Sequence, residues 1–485
     1  METAGLSLTL QEHGRKSNGK VLMITPGLYA QSRARSWAAH ALAERPEGYP
    51  LTEKLLQLIW QHQRLRRDNL RASDGRPLTI LHPGFWNHEP GPDFQGAVIQ
   101  FGEALARNGD VEVDLAPQSW RGHGHDHNAA YKQVILHVVW EADANAVMPV
   151  PTLAVRTFLD ASLDELASTL RDEAETTLPN LLGKCALPLQ QLSPAQVGEL
   201  VRQAACVRLE CKGRYFQARA KQVGWQAALW EGLFGALGYK KNVWPMRRLA
   251  ELLPALTARE HQTLSTLALQ ARLLGVSGLL PSELGQKGPS GRAYLQQLWN
   301  IWWREREHFA PLALPRDFWH LSGLRPANNP QRRLALAAHW LAEVDLPARL
   351  EEWFATDHAL PQLPQTLFRV LETQEDEYWS RHLTFHSLSA PAAQPLIGAH
   401  RVTDLAVNVI IPWLWVRAAI GRNTLLQQRA EKWYFAREAK TMPSSAGQRS
   451  GSLVRRCRSL FEPPRSSREF SRLSVTSATI PMLFA

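Results

Sequence analysis

The sequence predicts an α+β protein: a small mixed sheet within an α/β unit, followed by a mainly helical domain. Three observations carry this. Between Asp74 and Arg156, short β-branched or alternating runs are separated by Gly, Pro, Asn and Asp turns, which is the spacing of strands. From about Ser193 onward apolar residues recur at helical spacing instead. The chain has 485 residues, 45% hydrophobic and 21% charged, enough for two or three domains with sizeable cores. That composition excludes a mini-protein and a disordered chain.

Taken in order, residues 1–48 form an extension, helix-prone from Ser32 to Ala43 and broken by Arg45-Pro46-Glu47-Gly48-Tyr49-Pro50. The α/β unit spans residues 49–165. Thr52 caps a helix through Leu55, Leu56, Leu58, Ile59 and Trp60, with Leu65 continuing its apolar face. The strands are PLTILHPGF, QGAVIQFG, DVEVDLA, VILHVVW and PTLAVR, with a short helix near Asn128 to Gln133 before the fourth. The order is helix, three strands, helix, then strands again. The helical domain, residues 190–438, opens at Ser193-Pro194 and has further helices through Trp225 and Trp230, Leu264 to Leu274, Ala293 to Arg304, Pro330 to Val344 and Thr403 to Ile420. No fixed-period repeat is present, which argues against a solenoid.

The formal charge of +10 invites a nucleic-acid reading, but +6 of it lies between Lys440 and Ala485. The remaining 47 basic and 43 acidic residues are ordinary for the size. Residues 439–485 are atypical: either a disordered basic tail, or the product of a frame slip near Ala439, since a shifted-frame reading restores helical periodicity and a pair of cysteines. Four cysteines, Cys185, Cys206, Cys211 and Cys457, make no disulfide framework and no C-x-x-C pair, which excludes a zinc ribbon. No stretch approaches the roughly 20 uncharged apolar residues of a spanning helix. The N-terminus METAGLSLTLQEHGRK also lacks the signal-peptide order of basic, apolar and small residues. The expectation is a cytoplasmic protein with no membrane contact.

Chemistry concentrates in the α/β unit. Gly91-Pro92-Asp93-Phe94 opens the second strand, and in Val111-Glu112-Val113-Asp114 alternation puts Glu112 and Asp114 on one face. If these strands are antiparallel neighbours, Asp93 approaches Glu112. Two or three convergent carboxylates suit a hard cation such as Mg²⁺ or Mn²⁺. Such an ion lowers the pKa of a bound water and balances charge on a phosphate. The plainer alternative is a turn, a local cap at Asp93 and the solvated face of a half-buried strand. Trp120-Arg121-Gly122-His123-Gly124-His125-Asp126-His127 follows. His123 and His125 could bind a transition metal or act as acid and base, or belong to a hydrogen-bonded turn. His137, in an apolar strand, reads as a satisfied core residue.

Pro92-Asp93 followed by Glu112-x-Asp114, in this order of elements, resembles the PD-(D/E)xK nuclease superfamily over roughly residues 52–157. The resemblance implies a nuclease-like unit acting on nucleic acid, with Asp93 and Glu112 as metal ligands and a lysine two positions after the Glu to orient the nucleophile; the convergence of carboxylates adds Asp114 as the candidate third ligand. The lysine position here is Asp114, and Lys132 on the following helix is the candidate substitute. GPDF, VEV, W-x-x-H-x-H and LHVV also resemble the uncharacterised bacterial family known as Domain of Unknown Function 2851. The resemblance continues through Arg208-Leu209-Glu210-Cys211-Lys212, Ala236 to Asn242, Arg325-Pro326-x-Asn328-x-Pro330-x-x-Arg333 and Asn408-x-x-x-Pro412. Membership implies a fold and no reaction. The competing class is a non-catalytic interaction or scaffold protein that keeps the nuclease-like sheet.

In the helical part, Asn329-Pro330 is a cap and first-turn signature. Arg325, Arg332 and Arg333 could instead present guanidinium groups to phosphate. Arg401, Asp404 and Asn408 share one helix face as a polar network, and Pro412 removes the bond to the Asn408 carbonyl, predicting a kink. Most of the 18 tryptophans should be core, since a stacking platform for single strands needs them exposed among basic residues.

Overall fold

The computed structural model describes residues 51–87, 89–143, 148–174, 193–239, 241–258, 264–283, 289–342 and 345–441. The expected N-terminal extension, and the atypical tail beyond residue 441, lie outside the described residues.

Helix α1 (Glu53–His62) begins where the Thr52 hydroxyl accepts the Leu55 N–H at 3.2 Å, and it ends where Gln63 turns left-handed. Its Leu-rich face, with Leu65 beyond it, is buried. The sheet comprises β1 (Leu78–His82), β2 (Phe85–Trp86), β3 (Phe94–Phe101), β4 (Arg107–Asp114), β5 (Val134–Val139) and β6 (Thr152–Ala154). Its order is β1-β3-β4-β5-β6, with β2 pairing the other end of β3. The pairs β1–β3 and β3–β4 are antiparallel, whereas β4–β5 and β5–β6 are parallel, so the sheet is mixed as expected. The first strand read from sequence divides into β1 and β2 around Pro83, which has no N–H to give a ladder. Between β4 and β5 run α2 (Ser119–Gly122) and two 3₁₀ turns, His125–His127 and Ala129–Gln133. The helix expected at Asn128 to Gln133 is thus a 3₁₀ turn, opened by the Asn128 side chain accepting the Ala130 N–H at 3.0 Å.

Helix α3 (Leu163–Ala174) packs beside α1 over one side of the sheet. Leu56, Ile59 and Trp60 share a core there with Ile99, Val111, Val113, Leu136, Val138 and Leu166. Leu81 and Val98 belong instead to the larger core of the helical part. That part contains α4 (Pro194–Val223), α5 (Trp225–Leu237), α6 (Val243–Glu251), α7 (Leu253–Thr257), α8 (Thr266–Val276), α9 (Pro289–Phe309), α10 (Pro330–Ala342), α11 (Leu346–Ala355) and α12 (Leu363–Leu371). It ends in α13 (Ala399–Leu405), α14 (Ile411–Ile420) and α15 (Thr424–Thr441). A capping box of Ser193 and Gln196 starts α4. The expected irregularity before Pro412 takes the form of a π-helical turn, Ala406–Ile410, between α13 and α14.

Ala399–Ile420 is 22 residues long and apolar enough to cross a membrane by length and composition, contrary to the expectation from sequence. Its apolar window is 61% buried inside the fold, and Leu405, Ile410, Trp413 and Leu414 lie in the helical core. Trp340, Trp353, Trp379, Trp413 and Trp433 are core residues too. Asn329 caps α10 by accepting the Gln331 N–H at 3.0 Å. The phosphate reading of two arginines is corrected: Arg332 and Arg333 are buried, and their guanidinium groups donate to the carbonyls of Trp379, Gln394, Pro395 and Leu396. Arg325 is exposed. The polar network on α13 is present, Asn408 Nδ2 donating to the Asp404 carbonyl and Asn408 Oδ1 accepting from Arg208. Among the described residues Cys206 and Cys211 form no disulfide.

Candidate functional site

Antiparallel pairing of Phe94 with Val111 sets Asp93 beside the end of β4. The Asp93 N–H donates to Glu112 Oε2 at 3.1 Å, Asp93 Oδ2 accepts the Val113 N–H at 3.1 Å, and Asp93 Oδ1 accepts Gln57 Nε2 at 2.9 Å. Gln57 also donates to Glu53 Oε1 at 3.2 Å, so α1 is tied to the same group. The approach of Asp93 to Glu112 expected from an antiparallel pair is therefore observed. It concentrates negative charge out of water. Burial pushes the Asp93 carboxyl up to about 6, against its bonds from Gln57 and Val113. Burial, and then the Asp93 charge, push Glu112 up to about 9. Glu53 is raised as well, by burial and then by Asp114.

Asp114, two residues beyond Glu112, is buried and faces three imidazoles. Its Oδ2 lies 2.9 Å from His137 Nε2 and its Oδ1 3.3 Å from His123 Nδ1. His125 Nε2 stands 3.2 Å from Glu112 Oε1. Gly124, at φ 73°, supplies the left-handed step that lets the residues on either side of it both turn to the strand. Trp120 anchors this loop by donating Nε1 to Asp126 Oδ1 at 2.6 Å. His125 is 7% exposed, stacks on Tyr131 at 3.9 Å between ring centres, and meets the edge of Trp120 at 5.3 Å. Burial pushes the His125 imidazole down, against the pull of Asp114. One ligand atom from each of Asp114, His123 and His125 lies within 4.8 Å of the others.

The structure therefore brings together Asp93, Glu112, Asp114, His123 and His125. Lys132 is exposed in the Ala129–Gln133 turn, and no polar contact joins it to the cluster among the described residues. The lysine that approaches is Lys54 on α1, with Nζ 3.7 Å from the Trp86 ring centre. Burial lowers its pKa and the Asp93 charge opposes that. Glu53, Lys54, Gln57 and Tyr131 escape sequence reasoning. Their only signal is a polar first turn on α1 and an aromatic beside a glycine-rich loop, both common at helix ends and turns. His137 is a core residue as read, fully buried, but it also holds Asp114, and its Nδ1 has no hydrogen-bond partner.

The donor set is one that a divalent cation fits. Buried carboxylates have raised pKa values that a cation would lower, and neither ring nitrogen of buried His125 makes a hydrogen bond. Fold and site together define a mixed α+β protein whose sheet carries a buried carboxylate–histidine cluster at the end of β4. The family described as Protein of unknown function (DUF2851) matches residues 53–440, and the chain belongs to it. No curated protein and no solved structure matches the chain.

Proposed function

We propose that the chain is a cytoplasmic, metal-dependent phosphodiesterase acting on nucleic acid, a nuclease or a protein derived from one, with Asp93, Glu112 and Asp114 holding Mg²⁺ or Mn²⁺. The observation that carries this reading is the convergence of buried Glu112 and Asp114 with half-buried Asp93, Glu112 being pushed up to about 9. A proton occupies Glu112 at neutral pH where a cation would otherwise balance the charge. When bound, the cation would acidify a water and offset charge on the phosphate. The chain's own residues do the rest. Gln57 and the Val113 N–H fix the Asp93 carboxylate, and His137 fixes Asp114. His123, 53% exposed, borders the cluster with Nδ1 3.3 Å from Asp114 Oδ1. Lys54 supplies the local positive charge that Asp114 cannot.

The test is cleavage of end-labelled single- and double-stranded DNA and RNA with Mn²⁺ or Mg²⁺. Cleavage is expected to need the metal and to fall by at least about a hundredfold in Asp93→Asn and Glu112→Gln. Lys132→Ala is expected to leave it unchanged. A second reading, a scaffold that retains the sheet without chemistry, is favoured by Asp114 at the lysine position and by the exposure of Lys132. No cleavage of any substrate, together with no divalent binding, would leave only that reading.

A further inference from the structure

We infer that His123 and His125 are themselves metal ligands, completing with Asp114 and Glu112 a mixed nitrogen–oxygen site that selects a transition-metal ion such as Zn²⁺ or Mn²⁺ over Mg²⁺. This deepens the metal-dependent reading and rests on it. The first ground is geometry: Asp114, His123 and His125 each offer a ligand atom within 4.8 Å of the others, and Glu112 Oε1 is 3.2 Å from His125 Nε2. A single ion would draw these atoms slightly closer, since two bonds of about 2.0–2.2 Å span at most about 4.4 Å.

The second ground is independent of the carboxylates. His125 is 7% exposed and neither Nδ1 nor Nε2 makes a hydrogen bond. A buried imidazole normally satisfies at least one nitrogen, because leaving it unpaired forfeits its hydration without return. A turn held together by its histidines would show those bonds; here the ring is fixed by stacking on Tyr131 and by the edge of Trp120, and Nε2 faces Glu112 Oε1 at 3.2 Å without the geometry of a hydrogen bond. The third ground is support behind the first ligands. His137 Nε2 at 2.9 Å from Asp114 Oδ2 sets the orientation of that carboxylate, as the groups behind metal ligands commonly do. Imidazole nitrogen suits Zn²⁺, and Mn²⁺ accepts it beside carboxylates more readily than Mg²⁺, which prefers oxygen and retains its waters.

The experiment uses the full chain, stripped with chelator and titrated calorimetrically with Zn²⁺, Mn²⁺ and Mg²⁺, with Co²⁺ absorption as a spectroscopic report of nitrogen ligation. Zn²⁺ and Mn²⁺ are expected to bind more tightly than Mg²⁺. Both should weaken by at least about tenfold in His125→Ala and in His123→Ala, and the visible Co²⁺ band should shift in each. His123 is exposed, so its variant remains informative if His125→Ala does not fold. His127→Ala, an exposed neighbour outside the cluster, should change nothing. Divalent binding that ignores both histidines, or favours Mg²⁺, would overturn the inference while leaving the carboxylate-held metal in place. Absence of all divalent binding would overturn both.

Discussion

Glu112 keeps its proton because water is excluded around it and because Asp93 sits against it, and this has a consequence for stability. Its carboxyl titrates near 4.5 when unfolded and about 9 when folded, so between those values the folded state holds a proton that the unfolded state has released. Stability of the metal-free protein is then expected to fall as pH rises across that window, and to level off above it. Asp93, raised to about 6, adds to the lower part of the same window. Urea denaturation in chelator at about pH 5 and about pH 9 measures the effect. Glu112→Gln should flatten the difference, and equal slopes for wild type and variant would count against the assignment. At this scale the sequence was legible for Asp93, Glu112 and Asp114, because strand alternation and a strand-opening turn fix their placement. It was silent on Lys54 and Gln57, which reach the site only through the packing of α1. Lys132 is exposed in its turn, and proximity along the chain does not report direction in space.

The elements set the geometry through one tight joint. A Cβ on Gly109 would stand 2.4 Å from Ile135 Cγ2 and 2.6 Å from the Gln133 carbonyl, so β4 and β5 approach closely only because this residue has none. That pairing places Glu112 opposite His137. Gly109→Ala is expected to push the strands apart, costing about 1–3 kcal/mol of stability, and to weaken divalent binding although no ligand is touched. Chemical denaturation and calorimetry check the two parts. The strands themselves were readable from alternation and turn residues, and α1 and α4 from their Thr52 and Ser193 caps. The 3₁₀ form of Ala129–Gln133 was not, since five residues carry too little periodicity to separate it from an α-turn. The π turn before Pro412 was foreseen only as a kink, because a lost hydrogen bond does not dictate how the backbone recovers.

Across the whole molecule, the sheet and the helical part are joined by apolar contacts and by buried charge. Leu81 and Val98 enter the helical core. At the same boundary Arg67 Nη1 lies 2.9 Å from Glu251 Oε1, and Arg219 pairs with Glu231 at 2.8 Å and reaches toward Asp68 at 3.7 Å. Both members of the Arg219–Glu231 pair are buried, so removing one strands the other. Glu231→Ala is expected to cost about 3–5 kcal/mol, read as a lower urea midpoint in a transition that the sheet and helices share. A loss under about 1 kcal/mol would show the pair to be solvated in solution. The division into unlike periodicities was visible in the sequence. The partners of Arg332 and Arg333 were not, because carbonyls 47 to 63 residues away carry no side-chain signature.

Calorimetric titration of the chelator-stripped chain with Mn²⁺ and Mg²⁺, comparing wild type with Glu112→Gln, tests the metal centre most directly. Saturable binding in the wild type that is lost or weakened by at least about tenfold in Glu112→Gln is the expected result. No binding in either protein would contradict a metal centre built on Asp93, Glu112 and Asp114.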